Sequence, residues 1–196
     1  MKKNKRILII SMILIAVGLI GIVSLNLLSG VFTQGSAFGF DSGMMGDIDR
    51  HFIEQMIPHH EDAVLMAELA LTKADHEELK KLAENIKRDQ SREIGEMRSW
   101  YKSWYDTDVP ESVFEMGGMG RGMMGDETDL ESLENAKLFD KEFIEQMIPH
   151  HQMAIMMASM MLRGTEREEM KKLAQDIIRT QTEEINQLST WYSDWY

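Results

Sequence analysis

From residue 49 onward, apolar positions recur every three or four residues, the spacing of one α-helical face. On a wheel of about 100° per residue centred on Met147, the residues Phe143, His151, Ala154, Ala158 and Met161 fall within about 40°. His150 and Met157 sit at the rim of that face, about 60–80° away. The pattern predicts a helix over 50–72 and another over 141–163, with Asp49 and Asp140 as N-caps. A short polar turn follows each, marked by Gly164 in the later case. Leu79, Leu82, Ala83, Ile86, Ile94 and Met97 then outline a second helix to about Tyr105, with a counterpart ending at Tyr196. Pro58 and Pro149 fall inside the first helix of each pair, where proline removes a backbone hydrogen bond, so a kink is expected there.

The two pairs are one unit written twice. Residues 49–105 align with 140–196 at a constant offset of 91, without gaps, with 29 identities in 57 positions. The run Phe-Ile-Glu-Gln-Met-Ile-Pro-His-His occurs at 52–60 and again at 143–151. Such self-similarity indicates a supersecondary unit used twice. The expected fold is therefore all-α: a four-helix bundle made of two repeated helical hairpins. Residues 106–139 form a Gly/Met-rich crossover, with a short helix expected over 128–138 because Glu131 follows Thr128 in capping-box spacing.

The N-terminal 40 residues follow another pattern. Residues 1–6 are a basic stub, and residues 7–28 carry no charge. As a helix, that run spans roughly 33 Å, against a bilayer core of about 30 Å. It is expected to be a transmembrane anchor, with the basic stub inside the cell and the rest facing outward. The competing expectation is a signal segment cleaved near Gly35-Ser36-Ala37. A linker over 29–48 leads to the first hairpin.

Charge and composition narrow the function. The four bases Lys2, Lys3, Lys5 and Arg6 precede every acid, which leaves 17 bases against 33 acids, a formal charge of −16, on residues 41–196. That argues against a nucleic-acid partner, which needs a basic patch, and is compatible with attracting cations. No cysteine is present, which excludes disulfides, thiolate metal sites, a cysteine nucleophile and a lipoprotein anchor. Methionine is abundant, at 18 residues.

Three constellations carry candidate chemistry. The first is Met56, His59, His60 and Met66, repeated as Met147, His150, His151 and Met157. Spacings of three, four and seven place such residues on one side of a helix, and imidazole with thioether suits a soft ion, Cu(I) best. The competing reading is buried histidines hydrogen-bonded to neighbours, with methionine as core filler. The second is a ladder of Met153, Met156, Met157, Met160 and Met161, largely absent from the first copy. Met153 and Met160 lie well off the core-facing centre, as a copper-binding or partner-binding face would. The third is the pair of Gly/Met segments with Met44, Met45, Met119, Met123 and Met124, where glycine-rich chain offers no core for methionine to fill. A di-iron site is not expected, because no glutamate stands three residues before any repeated histidine. Glu93 and Glu184 recur in the second helices, but spacing does not show whether they reach the histidines. His51 and His76 are unrepeated and read as surface residues.

The segments Asp49–His60, Ala63–Ala67 and Leu82–Ile94, with Asp140–His151, Ala154–Ala158 and Leu173–Ile185, resemble the domain of unknown function (DUF) 305 family. The resemblance covers both repeats. It implies a bacterial, commonly exported, ferritin-like four-helix bundle, in a family that includes CopM-type copper-binding proteins. It also implies copper at Met56, His59, His60, Met66 and their second-copy equivalents. Gln152-Met153 replaces Glu61-Asp62 in the second copy, so the two sites need not bind equally.

The leading expectation is a non-enzymic, membrane-anchored protein whose outward-facing domain binds Cu(I), and also Ag(I), to buffer the metal, confer resistance or hand it on. Its partners are the metal ion, the membrane through the N-terminal helix, and a copper-handling protein or a second copy of the chain. The alternative is a metal-independent Met-rich interaction module. A metal-dependent oxidoreductase ranks third.

Overall fold

The protein is described from a computed structural model over residues 47–110 and 129–196. The expected anchor at 7–28, and Met44, Met45, Met119, Met123 and Met124, lie outside these residues. No helix among the described residues is long and apolar enough to cross a membrane.

The described residues form five helices: α1 (Ile48–Lys73), α2 (Glu77–Tyr105), α3 (Leu130–Asn135), α4 (Phe139–Gly164) and α5 (Glu168–Trp195). Two hairpins, α1/α2 and α4/α5, pack together through α1 and α4, while the short α3 leans on both. Helices α1 and α4 continue without a break through Pro58 and Pro149.

The core falls into two apolar halves. In one, Ala63, Met66 and Ala70 of α1 meet Leu79 and Ile86 of α2, Phe143 and Met147 of α4, and Leu188 of α5. In the other, Phe52, Ile53 and Met56 of α1 meet Met97 and Tyr101 of α2, Ala154, Met157 and Met161 of α4, and Leu173 and Ile177 of α5. The early part of α1 thus lies beside the late part of α4, so the two first helices run antiparallel. Each helix buries one apolar stripe, as amphipathic spacing requires. His150 and Met157 belong inside that stripe: they are 6% and 7% exposed, not rim residues.

Helix starts differ from the sequence expectation. The N-cap of α1 is Asp47, whose carboxylate accepts from the backbone N–H of Asp49 and Arg50. The N-cap of α3 is Asp129, which accepts from Ser132 N at 2.8 Å, not Thr128. Asp49 and Asp140 sit one residue inside their helices and serve the other hairpin. Asp140 accepts from Asp75 N at 3.0 Å, His76 N at 2.9 Å and His76 Nδ1 at 2.6 Å. Asp49 pairs with Arg167 at 3.1 Å. Each partner side chain also lies on a tryptophan: His76 stacks on Trp195 at 3.7 Å, and the Arg167 guanidinium lies 4.0 Å from the Trp104 ring centre. His76 is thus a half-buried tie between hairpins rather than a free surface residue, and Arg167 is its counterpart at the offset of 91.

Candidate metal centre

Where α1 and α4 cross, the apolar core is interrupted by a polar waist. The interruption is written in helical spacing. Along α2 the buried stripe reads Ile86, Gln90, Glu93, Met97, and along α5 it reads Ile177, Gln181, Glu184, Leu188. Two polar residues replace two apolar ones at the same level in both hairpins, opposite the His pairs of α1 and α4.

The four histidines form one cluster. The rings of His59 and His150 lie 3.7 Å apart across the α1/α4 contact, tilted by 36°. His60 and His151 are fully buried, at 0% exposure, and point their Nε2 toward the second helices. His60 Nε2–H donates to Glu93 Oε2 at 2.9 Å, and His151 Nε2–H donates to Glu184 Oε2 at 2.8 Å. Both glutamates are themselves buried. These bonds tie each imidazole by one nitrogen. The other, Nδ1 of His60 and of His151, has no hydrogen-bond partner, and neither does either ring nitrogen of His150. Both side-chain amide atoms of Gln90 and Oε1 of Gln181 are likewise unpartnered.

Buried polar atoms without partners cost about 1–3 kcal/mol each. Such a concentration in one layer is therefore a feature that packing alone does not favour. Burial holds His150 well below its ordinary value of 6.5, with the neighbouring His59, His151 and His60 adding to the depression. His150 is therefore neutral near pH 7 and keeps a lone pair.

The methionines divide across the waist in a way the repeat does not reveal. Met56 lies in the same apolar half as Met157, and Met66 in the same half as Met147. Of these four methionines, each half therefore holds one from each repeat. All four are at most 7% exposed. Of the ladder, Met161 is buried in the core, Met153 is half-buried against it, and Met156 and Met160 are 46% and 52% exposed. His51 is exposed and lies 3.9 Å from Glu54. Among the described residues no group of three His, Asp or Glu side chains is preset to hold a metal ion. A site here would combine imidazole with thioether, a soft donor set.

Glu93 and Glu184 are the residues whose role spacing alone did not establish. The signal was their place on the apolar stripe beside Gln90 and Gln181. The repeated glutamates Glu54 and Glu145 instead accept from Tyr101 and Tyr192 hydroxyls at 2.5 and 2.6 Å, tying the ends of each hairpin. An open groove of about 320 Å³ between α2 and α5, bordered by Asp89, Thr180 and Glu183, reaches Glu184.

The family model for the domain of unknown function DUF305 matches residues 49–192. The Cu(I)-bound structure of CopM is 55% identical, covers 76% of this chain and 97% of its own, and superposes with a TM-score of 0.67. The Cu(II)-bound form of CopM is 57% identical over the same shares, with a TM-score of 0.70. A CopM crystal soaked with silver gives 54% identity, 76% and 96% coverage, and a TM-score of 0.66. An uncharacterised protein of Acanthamoeba polyphaga mimivirus is 43% identical over 51 residues, 26% of this chain and 34% of that protein, so the match spans about a third of that relative. With most of both hairpins inside the matched region, the chain belongs to the DUF305 family.

Proposed function

We propose that this protein binds Cu(I), and also Ag(I), at the polar waist between its two hairpins, and serves to buffer or pass on the ion. The observation that carries this reading is the pair of His–Glu hydrogen bonds. A carboxylate on Nε2 fixes the Nε2–H tautomer of a neutral imidazole and leaves Nδ1 as the donor, an arrangement typical of metal-ligating histidine. His60 and His151 would offer Nδ1 and His150 a ring nitrogen, with His59 beside them. Met56, Met66, Met147 and Met157 would supply thioethers from either side. CopM, similar over both repeats, has been solved with Cu(I), Cu(II) and silver bound, which supports the same ion class here.

The uncharged stretch 7–28 and the basic residues before it support placement on the outer side of a membrane, with the domain held there by a single span. The reading is of a binding protein rather than an enzyme, with the ion as cargo and a copper-handling protein as the recipient. The test is a Cu(I) titration of residues 41–196 against a competing chelator, repeated with His59, His60, His150 and His151 all changed to Ala. Tight binding lost in the variant is expected; absent binding, or binding unchanged by the four substitutions, overturns the reading. The exposed Met156 and Met160 also favour a second reading, metal-independent association through α4. It predicts a complex that survives chelator and is lost when Met153, Met156 and Met160 become Ser.

A further inference from the structure

The two first helices are alike at the waist and unlike just beyond it. After the His pair, α4 presents Met153, Met156, Met157 and Met160, where α1 presents Asp62, Leu65, Met66 and Leu69. Core filling explains Met157, at 7% exposure, but not Met156 or Met160, at 46% and 52%. Apolar exposure is not what separates the repeats, because Leu65, the counterpart of Met156, is 45% exposed. At the Leu65/Met156 pair sulfur is what changes, at matched exposure; at the other two positions α4 carries Met153 and Met160 where α1 carries Asp62 and the partly buried Leu69.

These residues form a graded stripe. With Met153 at the origin of the wheel, Met160 falls about 20° and Met156 about 60° to one side, while Met157 and His150 fall about 40° and 60° to the other. Exposure falls in the same order, from Met160 and Met156 through half-buried Met153 to Met157 and His150. Met153 lies one turn from both His150 and Met156, a rise of about 4.5 Å in each direction. Thioethers thus continue from solvent to the waist on α4, and on α1 the chain of donors stops at Met66.

We infer that the Met153–Met160 stripe of α4 is the loading side of the waist, along which a soft monovalent ion is exchanged between sulfur donors until it reaches His150. The inference rests on the proposed metal-binding function and adds direction to it: the run of thioether donors leading to the waist lies on α4 and not on α1. Each step replaces one thioether donor by the next, with no change in the oxidation state of the ion, so no co-reactant is needed.

The test separates rate from affinity. Cu(I) is delivered from its bicinchoninate complex to the full chain, and transfer is followed by loss of the chelator absorbance; release is followed in the opposite direction with excess chelator. In M153L/M156L/M160L, which removes the sulfur while keeping apolar side chains of similar size, both rates are expected to fall by about tenfold or more, equivalent to about 1.4 kcal/mol on the barrier. The equilibrium affinity of the tightest site is expected to stay at its original value. Adding D62M/L65M/L69M builds the stripe on α1 instead and is expected to restore the rates. Unchanged rates in the first variant, or an affinity that falls while the rate of loading does not, overturn the one-sided route. If the unaltered protein takes up no Cu(I) at all, the function itself falls, an outcome distinct from binding at unaltered speed.

Discussion

The first and second hairpins agree where they face each other and differ where they face outward. Both carry a buried His–Glu pair, a Tyr–Glu tie and an interrupted apolar stripe, all related by the offset of 91. Outside the waist the partners diverge. Arg92, which lies 3.3 Å from Glu93, is replaced by Glu183; Leu65 and Leu69 are replaced by Met156 and Met160. An interface between two copies of one unit constrains both to the same geometry, while surfaces that touch only solvent or cargo are free to specialise.

The strongest way to break the comparison is in the core, where the repeats should respond alike. Ile53 and Ile144 are equivalent and fully buried, and changing either to Ala is expected to cost about 2–5 kcal/mol. Chemical denaturation of the two variants checks it; a large inequality would show that one hairpin carries the fold.

Next comes the waist. Glu93→Leu and Glu184→Leu each leave a buried imidazole N–H without its acceptor, at about 1–3 kcal/mol. Both should also weaken Cu(I) binding in competition titrations, because the ring loses the partner that fixes its tautomer. Glu93→Leu also deprives the half-exposed Arg92 of a neighbour, a minor loss.

His150 sharpens the comparison through pH. Its folded-state value is depressed below 6.5, so below that pH the unfolded chain takes up a proton that the folded chain resists. Stability should therefore decline as pH falls through and below 6.5, and recover as pH rises toward it. His150→Leu removes that part of the decline and should raise stability at neutral pH, since an unpartnered buried polar ring gives way to an apolar one. Thermal melts at a series of pH values measure both effects.

Smaller effects are expected at the ties between hairpins. Arg167→Ala breaks a partly exposed pair with Asp49 and its contact on Trp104, for about 1 kcal/mol. His76→Ala should cost a similar amount and expose Asp140 to the loss of one of three donors. Smallest of all, M156L/M160L should alter stability by less than about 0.5 kcal/mol, since both positions are half exposed. Its effect should appear in metal exchange alone.

Much of the molecule was legible in the chain because it is local. The 3.6-residue period reveals α1, α2, α4 and α5, and the gapless repeat reveals two hairpins. The Met-x-x-His-His clusters stood out because both copies keep them. Capping was misread at Asp49 and Asp140 because their partners, Arg167 and the backbone at 75–76, are distant in sequence. A helix wheel likewise placed His150 and Met157 at the rim, since it describes one helix against one core and takes no account of a second face buried by a crossing neighbour.

A cysteine-free helical protein, built from one unit used twice with soft donors in matched places, can be read from the residues without coordinates. Helical period and side-chain chemistry are properties of the chain alone. Packing of the hairpins is what joins the two His pairs into one waist, puts Met56 in the same half of the core as Met157 rather than Met66, and sets Glu93 and Glu184 against the histidines. Antiparallel packing of α1 on α4 brings the midpoint of each repeat onto the other. That turns two clusters 91 residues apart into one layer with each repeat's thioethers divided across it.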